Sequence, residues 1–231
     1  MRPMAVDAAF ELRGGRVARV LSTTVAAGDL SVLHPGPELD ARRRALSDRP
    51  WSWLRQVHGA TVVTVAAPGD QAGAEADAAV TDAPGTVLAV HTADCAPIAL
   101  VSDEGPVAAV HAGWRGLAAG VVDRTVERLA DLGAGRVRAL VGPCIGPACY
   151  EFGKRDLDDV VAAVGEEARG VTSWGAPALD LPGAVAAALA RAGVETVGDA
   201  PACTACDDRF HSYRARGDAG RQALLVWVEG A

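Results

Sequence analysis

The chain is poor in several things that would otherwise define a class. Lys154 is its only lysine, and no basic block stands anywhere among its 231 residues, whose formal net charge is −7. Binding to nucleic acid through phosphate neutralisation is therefore not expected. A small anionic ligand remains open, because a few arginines in one cleft can outweigh the global sign. No apolar run is long enough to span a bilayer, and no basic, apolar and small-residue order marks a signal peptide. A cytoplasmic protein without membrane partners is the expectation. Five cysteines are an odd number, which excludes a complete disulfide framework and favours thiols or ligands. The sequence also lacks an H-E-x-x-H pair and a second C-x-x-C to match Cys203–Cys206 at zinc-ribbon spacing, so that lone motif reads as structural or incidental.

What is present is an ordinary globular balance, with 50% hydrophobic and 22% charged residues. Short β-like runs at 10–12 and 17–24 precede a turn-rich piece at 34–37 and a helix over 38–46. Residues 60–65 predict a strand and 68–79 a surface loop. Continuous apolar runs at 87–90, 98–101 and 107–110 predict buried strands. Apolar spacing predicts a helix over 117–132 stopped by Gly133, then a strand over 136–141. Helices follow over 156–168 and, capped by Asp180 and stopped by Gly193, up to residue 192; a last strand covers 223–228. No repeat or composition shift marks a linker, so residues 1–231 read as a single α/β domain.

Three segments concentrate the chemistry: Arg-Gln-Val-His-Gly at 55–59, Thr-Ala-Asp-Cys at 92–95, and His-Ala-Gly-Trp-Arg-Gly at 111–116. Each sits at the edge of an apolar run, where a strand delivers its last side chain to a cleft. His58, Cys95 and His111 together make a good zinc ligand set, and three protein ligands leave a fourth position for water or substrate. Cys95 has a second reading, as a nucleophile with His111 as its base and Asp94 or another polar group orienting it. His91, four residues before Cys95, is a further neighbour if the segment is extended. Arg115, in a glycine-flanked turn entering a helix, suits phosphate or carboxylate, and Arg44 and Arg55 are weaker candidates of the same kind. The 142–150 segment, with Cys144 and Cys149, reads as a constrained loop beside a cleft or as a plain structural turn, and Arg214 and Arg221 precede the final strand.

Five ordered blocks, RQVHG, ADAAVTDAPG…VHTADCAPIAL, VAAVHAGWRGLAAGVV, VGPCIGPACYEF and CT…FHSYRARGDAGR, give the chain a specific resemblance. It resembles the YfiH-like family, also called laccase-domain or multicopper polyphenol oxidase proteins and peptidoglycan editing factor. The match runs from about Arg55 to Val228; the N-terminal part departs from the family at Leu21–Thr24 and at the Arg43-Arg44 pair. The resemblance implies a mixed-sheet α/β/β/α sandwich of cysteine-hydrolase type and one zinc at His58, Cys95 and His111. It implies phosphorolysis of purine nucleosides (adenosine, inosine, guanosine or methylthioadenosine) together with adenosine deamination; for that chemistry the residue types nominate Cys95, His111, Asp94 and Arg115 as catalytic, Arg115 for phosphate and Asp94 for metal-site support or proton transfer. Removal of a wrong amino acid from a peptidoglycan precursor is the alternative. Copper-dependent phenol oxidation fits least, since several copper sites need more than five histidines. A non-enzymatic protein with a structural zinc is the reading from another class, and would call for a fourth protein ligand such as His91.

Overall fold

The computed structural model describes residues 5–229. Its strands are β1 (Ala5–Glu11), β2 (Val17–Thr23), β3 (Trp51–Arg55), β4 (Val62–Thr64), β5 (Ala74–Glu75), β6 (Ala78–Thr81), β7 (Val87–Thr92), β8 (Ala96–Ser102), β9 (Val107–Ala112), β10 (Val137–Val141), β11 (Arg169–Val171), β12 (Pro177–Leu179), β13 (Glu195–Thr196) and β14 (Gln222–Glu229). Its helices are α1 (Pro37–Leu46), α2 (Trp114–Ala118), α3 (Val121–Asp131), α4 (Lys154–Val164), α5 (Leu181–Arg191) and α6 (Tyr213–Arg216).

Two six-stranded mixed sheets carry the fold. One runs β1-β2-β14-β7-β3-β5, the other β13-β10-β8-β9-β6-β4. The period of two along each strand sorts side chains into layers. On β7, Leu88 and Val90 face the second sheet, while Val87 and Ala89 pack toward α1. On β8 and β9, Ala99, Val101, Val107 and Ala109 fill the space between the sheets. Their neighbours Ile98, Leu100, Ala108 and Val110 pack under α3, α4 and α5 through Leu129, Val160 and Leu189. The order is therefore α1, sheet, sheet, helices, which is the expected α/β/β/α sandwich.

Several boundaries differ from expectation. The 117–132 helix is two helices, α2 beginning at Trp114 and α3 at Val121, because Gly120 between them takes the left-handed conformation (φ 80°). The 156–168 helix begins at Lys154 and stops at Val164 where Gly165 has φ 120°, leaving residues 166–168 as a 3-10 turn. The 68–79 loop contains β5 and the start of β6; the latter is wholly buried between β4 and β9, so its alanines show no alternation. Strand β3, with Trp51 and Leu54 buried, supplies the strand expected before His58, for which the sequence set no bounds; the β11–β12 hairpin was not anticipated. Asp180 caps α5 as expected, accepting from the Gly183 N–H at 2.8 Å. Among the described residues no helix is long and apolar enough to cross a membrane.

Candidate active site

β3 and β7 of one sheet and β9 of the other end at the same edge of the sandwich, and the chain crosses from β7 to β8 there through Ala93-Asp94-Cys95. This edge opens into a cleft of about 550 Å³ lined by His58, Cys95, His111, Trp114, Arg115 and Tyr150 among others. The fold brings the three segments together here: the donor atoms of His58, Cys95 and His111 lie within 4.8 Å of one another. Cys95 Sγ is 3.7 Å from His58 Nε2, and the two imidazoles meet edge to face at 4.8 Å.

Asp77, a residue sequence reasoning passed over, organises the cluster. It is fully buried, and its Oδ1 lies 2.8 Å from His111 Nδ1. The same carboxylate accepts from the backbone N–H groups of Val57 (3.3 Å), His58 (2.9 Å) and Gly59 (2.7 Å). His58 holds φ 60°, rare for a non-glycine residue, and that turn aims three successive N–H groups at one anion. One carboxylate thus fixes the His111 ring at the end of β9 and the backbone turn that carries His58 after β3. Burial alone would raise Asp77, but His111 and the Gly59 N–H outweigh it and hold its pKa below the usual carboxylate value. A signal was available, since Asp77 is the only charged residue within the apolar run 76–81.

The charges around Cys95 pair off. Burial opposes ionisation of its thiol, yet the neighbouring His111 and His58 bring it down to about 6. Burial likewise opposes His111⁺, but the Cys95 charge and the Asp77 hydrogen bond lift it to about 9. Asp77 claims Nδ1, so Nε2 is the nitrogen left to meet Cys95 and any ion. Close approach here depends on two glycines. A Cβ on Gly113 would lie 2.8 Å from His58 Cδ2 and 3.2 Å from Cys95 Sγ, and one on Gly116 would lie 2.8 Å from the Gly59 carbonyl. A mutually close sulfur and two imidazoles, one oriented by a carboxylate, is a donor set that fits a tetrahedral thiophilic metal with a free position.

The other candidates fall out differently. Asp94 is buried with φ 102°, and both its oxygens are engaged. Oδ1 accepts from Thr204 Oγ1 at 2.7 Å and Ser212 Oγ at 2.6 Å, and Oδ2 from the Arg214 N–H at 2.7 Å. It pins the 204–214 segment to the cleft rim, while Asp77 occupies the orienting position beside His111. His91 lines the cleft but outside the donor set, because the chain turns sharply at Asp94 and breaks the extended register. Both its ring nitrogens are buried without a partner, and burial, then the Arg43 and His111 charges, depress it to about 3. Arg44 is exposed away from the cleft; Arg43 instead packs over Trp51 and Trp53. Arg55 is paired with Glu75. Arg115 lies 4.2 Å over its neighbour Trp114 and, among the described residues, has no acidic partner. Tyr213, Arg214 and Arg221 complete the rim, Arg214 stacking 4.9 Å from Tyr150.

A family model described as multi-copper polyphenol oxidoreductase laccase matches residues 38–229. A Streptomyces coelicolor protein named purine nucleoside phosphorylase is 42% identical over 196 residues, covering 83% of this chain and 81% of its own. The Shigella flexneri purine nucleoside phosphorylase YfiH is 38% identical over 179 residues, covering 76% and 73%. Among solved structures, a Neisseria meningitidis protein of family DUF152 superposes with TM-score 0.83 at 29% identity, over 99% of this chain and 100% of its own. YlmD from Geobacillus stearothermophilus follows the same course with TM-score 0.77 at 27% identity, covering 94% and 93%.

Proposed function

Because the chain belongs to the YfiH-type, laccase-like family, we propose that it is a zinc-dependent purine nucleoside phosphorylase with adenosine deaminase activity. The observation that carries this reading is the single cleft holding both the His58, Cys95, His111 donor set and the unpaired Arg115 guanidinium. The names of the relatives support the phosphorylase half.

In this reading His58, Cys95 and His111 would hold the zinc, which would supply a Lewis acid. Asp77 keeps the proton of His111 on Nδ1, so Nε2 is presented as a donor to the ion. Arg115 binds phosphate near the ribose C1′, where phosphate oxygen bonds to carbon as the C–N bond to the purine breaks. Arg214 and Arg221, which also line the cleft, add positive potential. Trp114, Tyr150 and Tyr213 offer faces on which a purine stacks. Asp94 acts by holding the rim rather than by carrying protons, since both oxygens already accept hydrogen bonds.

One observation favours a second reading. His111 lies between Cys95, within 4.8 Å, and Asp77, hydrogen-bonded at 2.8 Å, so the three could serve as nucleophile, base and orienting carboxylate in attack on an amide carbonyl. Removal of an amino acid from a peptidoglycan precursor would use it.

Chromatographic product analysis of zinc-loaded protein with adenosine, with and without phosphate and beside Cys95→Ala, separates these. Phosphate-dependent adenine and ribose 1-phosphate, or phosphate-independent inosine, lost in the variant, are the expected products. No turnover of adenosine, inosine, guanosine or methylthioadenosine by folded, zinc-loaded protein overturns the proposal and leaves the amide reading to be assayed.

A further inference from the structure

A second convergence of sulfur lies outside the cleft's donor set. Cys203 and Cys206 form the C-x-x-C, and the fold brings Cys149 to them from the 3-10 turn at Pro147–Cys149. The three sulfurs lie within 4.8 Å of one another, with Cys149 Sγ and Cys206 Sγ at 3.3 Å. Tetrahedral Zn–S bonds of about 2.3 Å place sulfurs roughly 3.8 Å apart, a spacing that lies between the 3.3 Å of the Cys149–Cys206 pair and the 4.8 Å limit of the whole set.

Backbone contacts set this geometry. Cys144 and Cys203 form a parallel bridge, with the Thr204 N–H donating to the Cys144 carbonyl at 3.1 Å. The Gly146 N–H donates to Cys203 Sγ at 3.2 Å, a contact that favours the thiolate. The turn itself closes as the Cys206 N–H donates to the Cys203 carbonyl at 3.1 Å. These contacts fix where the Cys203 sulfur sits relative to those of Cys149 and Cys206. Three thiols this close resist full ionisation on their own, and a cation relieves that conflict. Cys144 is no member of the set: it is buried in the apolar core and burial raises its thiol. Cys206, by contrast, is exposed, so solvent reaches the cluster.

We propose that Cys149, Cys203 and Cys206 form a second metal site, a three-thiolate site for zinc with its fourth position open to water. Soft thiolates select zinc over magnesium, calcium or manganese, and binding releases the remaining thiol protons. The ion would tie the Pro147–Cys149 turn to the segment that continues into Arg214, joining two pieces of the cleft rim. It does not depend on the activity proposed for the cleft.

The test uses full-length, anaerobically reduced Cys95→Ser protein, whose first site has no thiolate. Titration with Co²⁺ should give a sulfur-to-cobalt charge-transfer band saturating at one equivalent, and Zn²⁺ should abolish it. The band should disappear when Cys149→Ser and Cys206→Ser are added. Should that variant not fold, alkylation mapping of Cys95→Ser protein by mass spectrometry decides. One equivalent of Zn²⁺ should slow modification of Cys149, Cys203 and Cys206 at least about tenfold, because the metal-bound thiolate is a poorer nucleophile. Absence of the band, a band indifferent to the two serines, or unchanged alkylation would each overturn the site.

Discussion

Replacing Asp77 by asparagine tests whether one carboxylate organises the cleft. The carboxylate takes four hydrogen bonds, from His111 Nδ1 and the N–H groups of residues 57, 58 and 59. An amide keeps one oxygen and presents an NH₂ where the other was. If its oxygen faces His111 and His58, the NH₂ meets the Gly59 N–H donor to donor; if it flips, the NH₂ meets His111 and His58. Either way a buried donor loses its acceptor, at a cost of about 1–3 kcal/mol. That strain falls on the ligands' orientation, and loss of a carboxylate behind a metal-bound histidine typically weakens metal binding about 10–100-fold. The two figures agree, since tenfold corresponds to about 1.4 kcal/mol. The assay is competition for zinc against a chromophoric chelator, beside a chemical denaturation curve. Asp131→Asn, which removes an exposed carboxylate 3.8 Å from Arg128, serves as the control and should change neither. Zinc affinity of folded Asp77→Asn within about twofold of the parent would refute the orienting role, because the loss expected is at least tenfold.

Arg115→Ala should raise the phosphate KM about 10–100-fold, the worth of a charge-assisted contact, while leaving phosphate-independent deamination near its parent rate; steady-state kinetics at varied phosphate check both. Gly113→Ala should weaken zinc binding while sparing the backbone, since Gly113 has φ −77°, open to any residue, and its new Cβ meets His58 and Cys95; the chelator competition reads it. In zinc-free protein, alkylation of Cys95 should rise through about pH 6 and then level. The thiol pKa is depressed, so the reactive thiolate persists above that value and is lost as pH falls through it. His111→Gln removes the imidazolium charge and should move the rise upward by a measurable amount; a rate profile unchanged by His111→Gln would refute the pairing.

The layered fold was legible because buried strands and amphipathic helices write their periods into the chain. Runs at 87–90, 98–101 and 107–110 became β7, β8 and β9, and the α5 cap was read to the residue. Failures came where packing overrides local pattern. β6 is buried on both faces, so small alanines replace alternation and the segment resembles a loop. The break at Gly120 needs a left-handed residue that spacing alone does not announce, because the apolar positions on either side remain helical in register.

The cleft divides in the same way. His58, Cys95 and His111 were found because imidazole and thiol are rare in this chain and stand at strand edges. Their partners were not, because a partner is defined by contact rather than by type. Asp94 adjoins Cys95 in sequence and drew the orienting role, yet a left-handed turn swings its carboxylate to Thr204, Ser212 and the Arg214 N–H. Asp77 is 34 residues from His111 and reaches it because β6 pairs with β9, which sets the His111 N–H on the Asp77 carbonyl at 2.7 Å. Cys149 joins Cys206 across 57 residues for an equivalent reason, the bridge between Cys144 and Cys203. In both clusters the residue types were on view in the chain, and the long-range backbone pairings decide which of them act together.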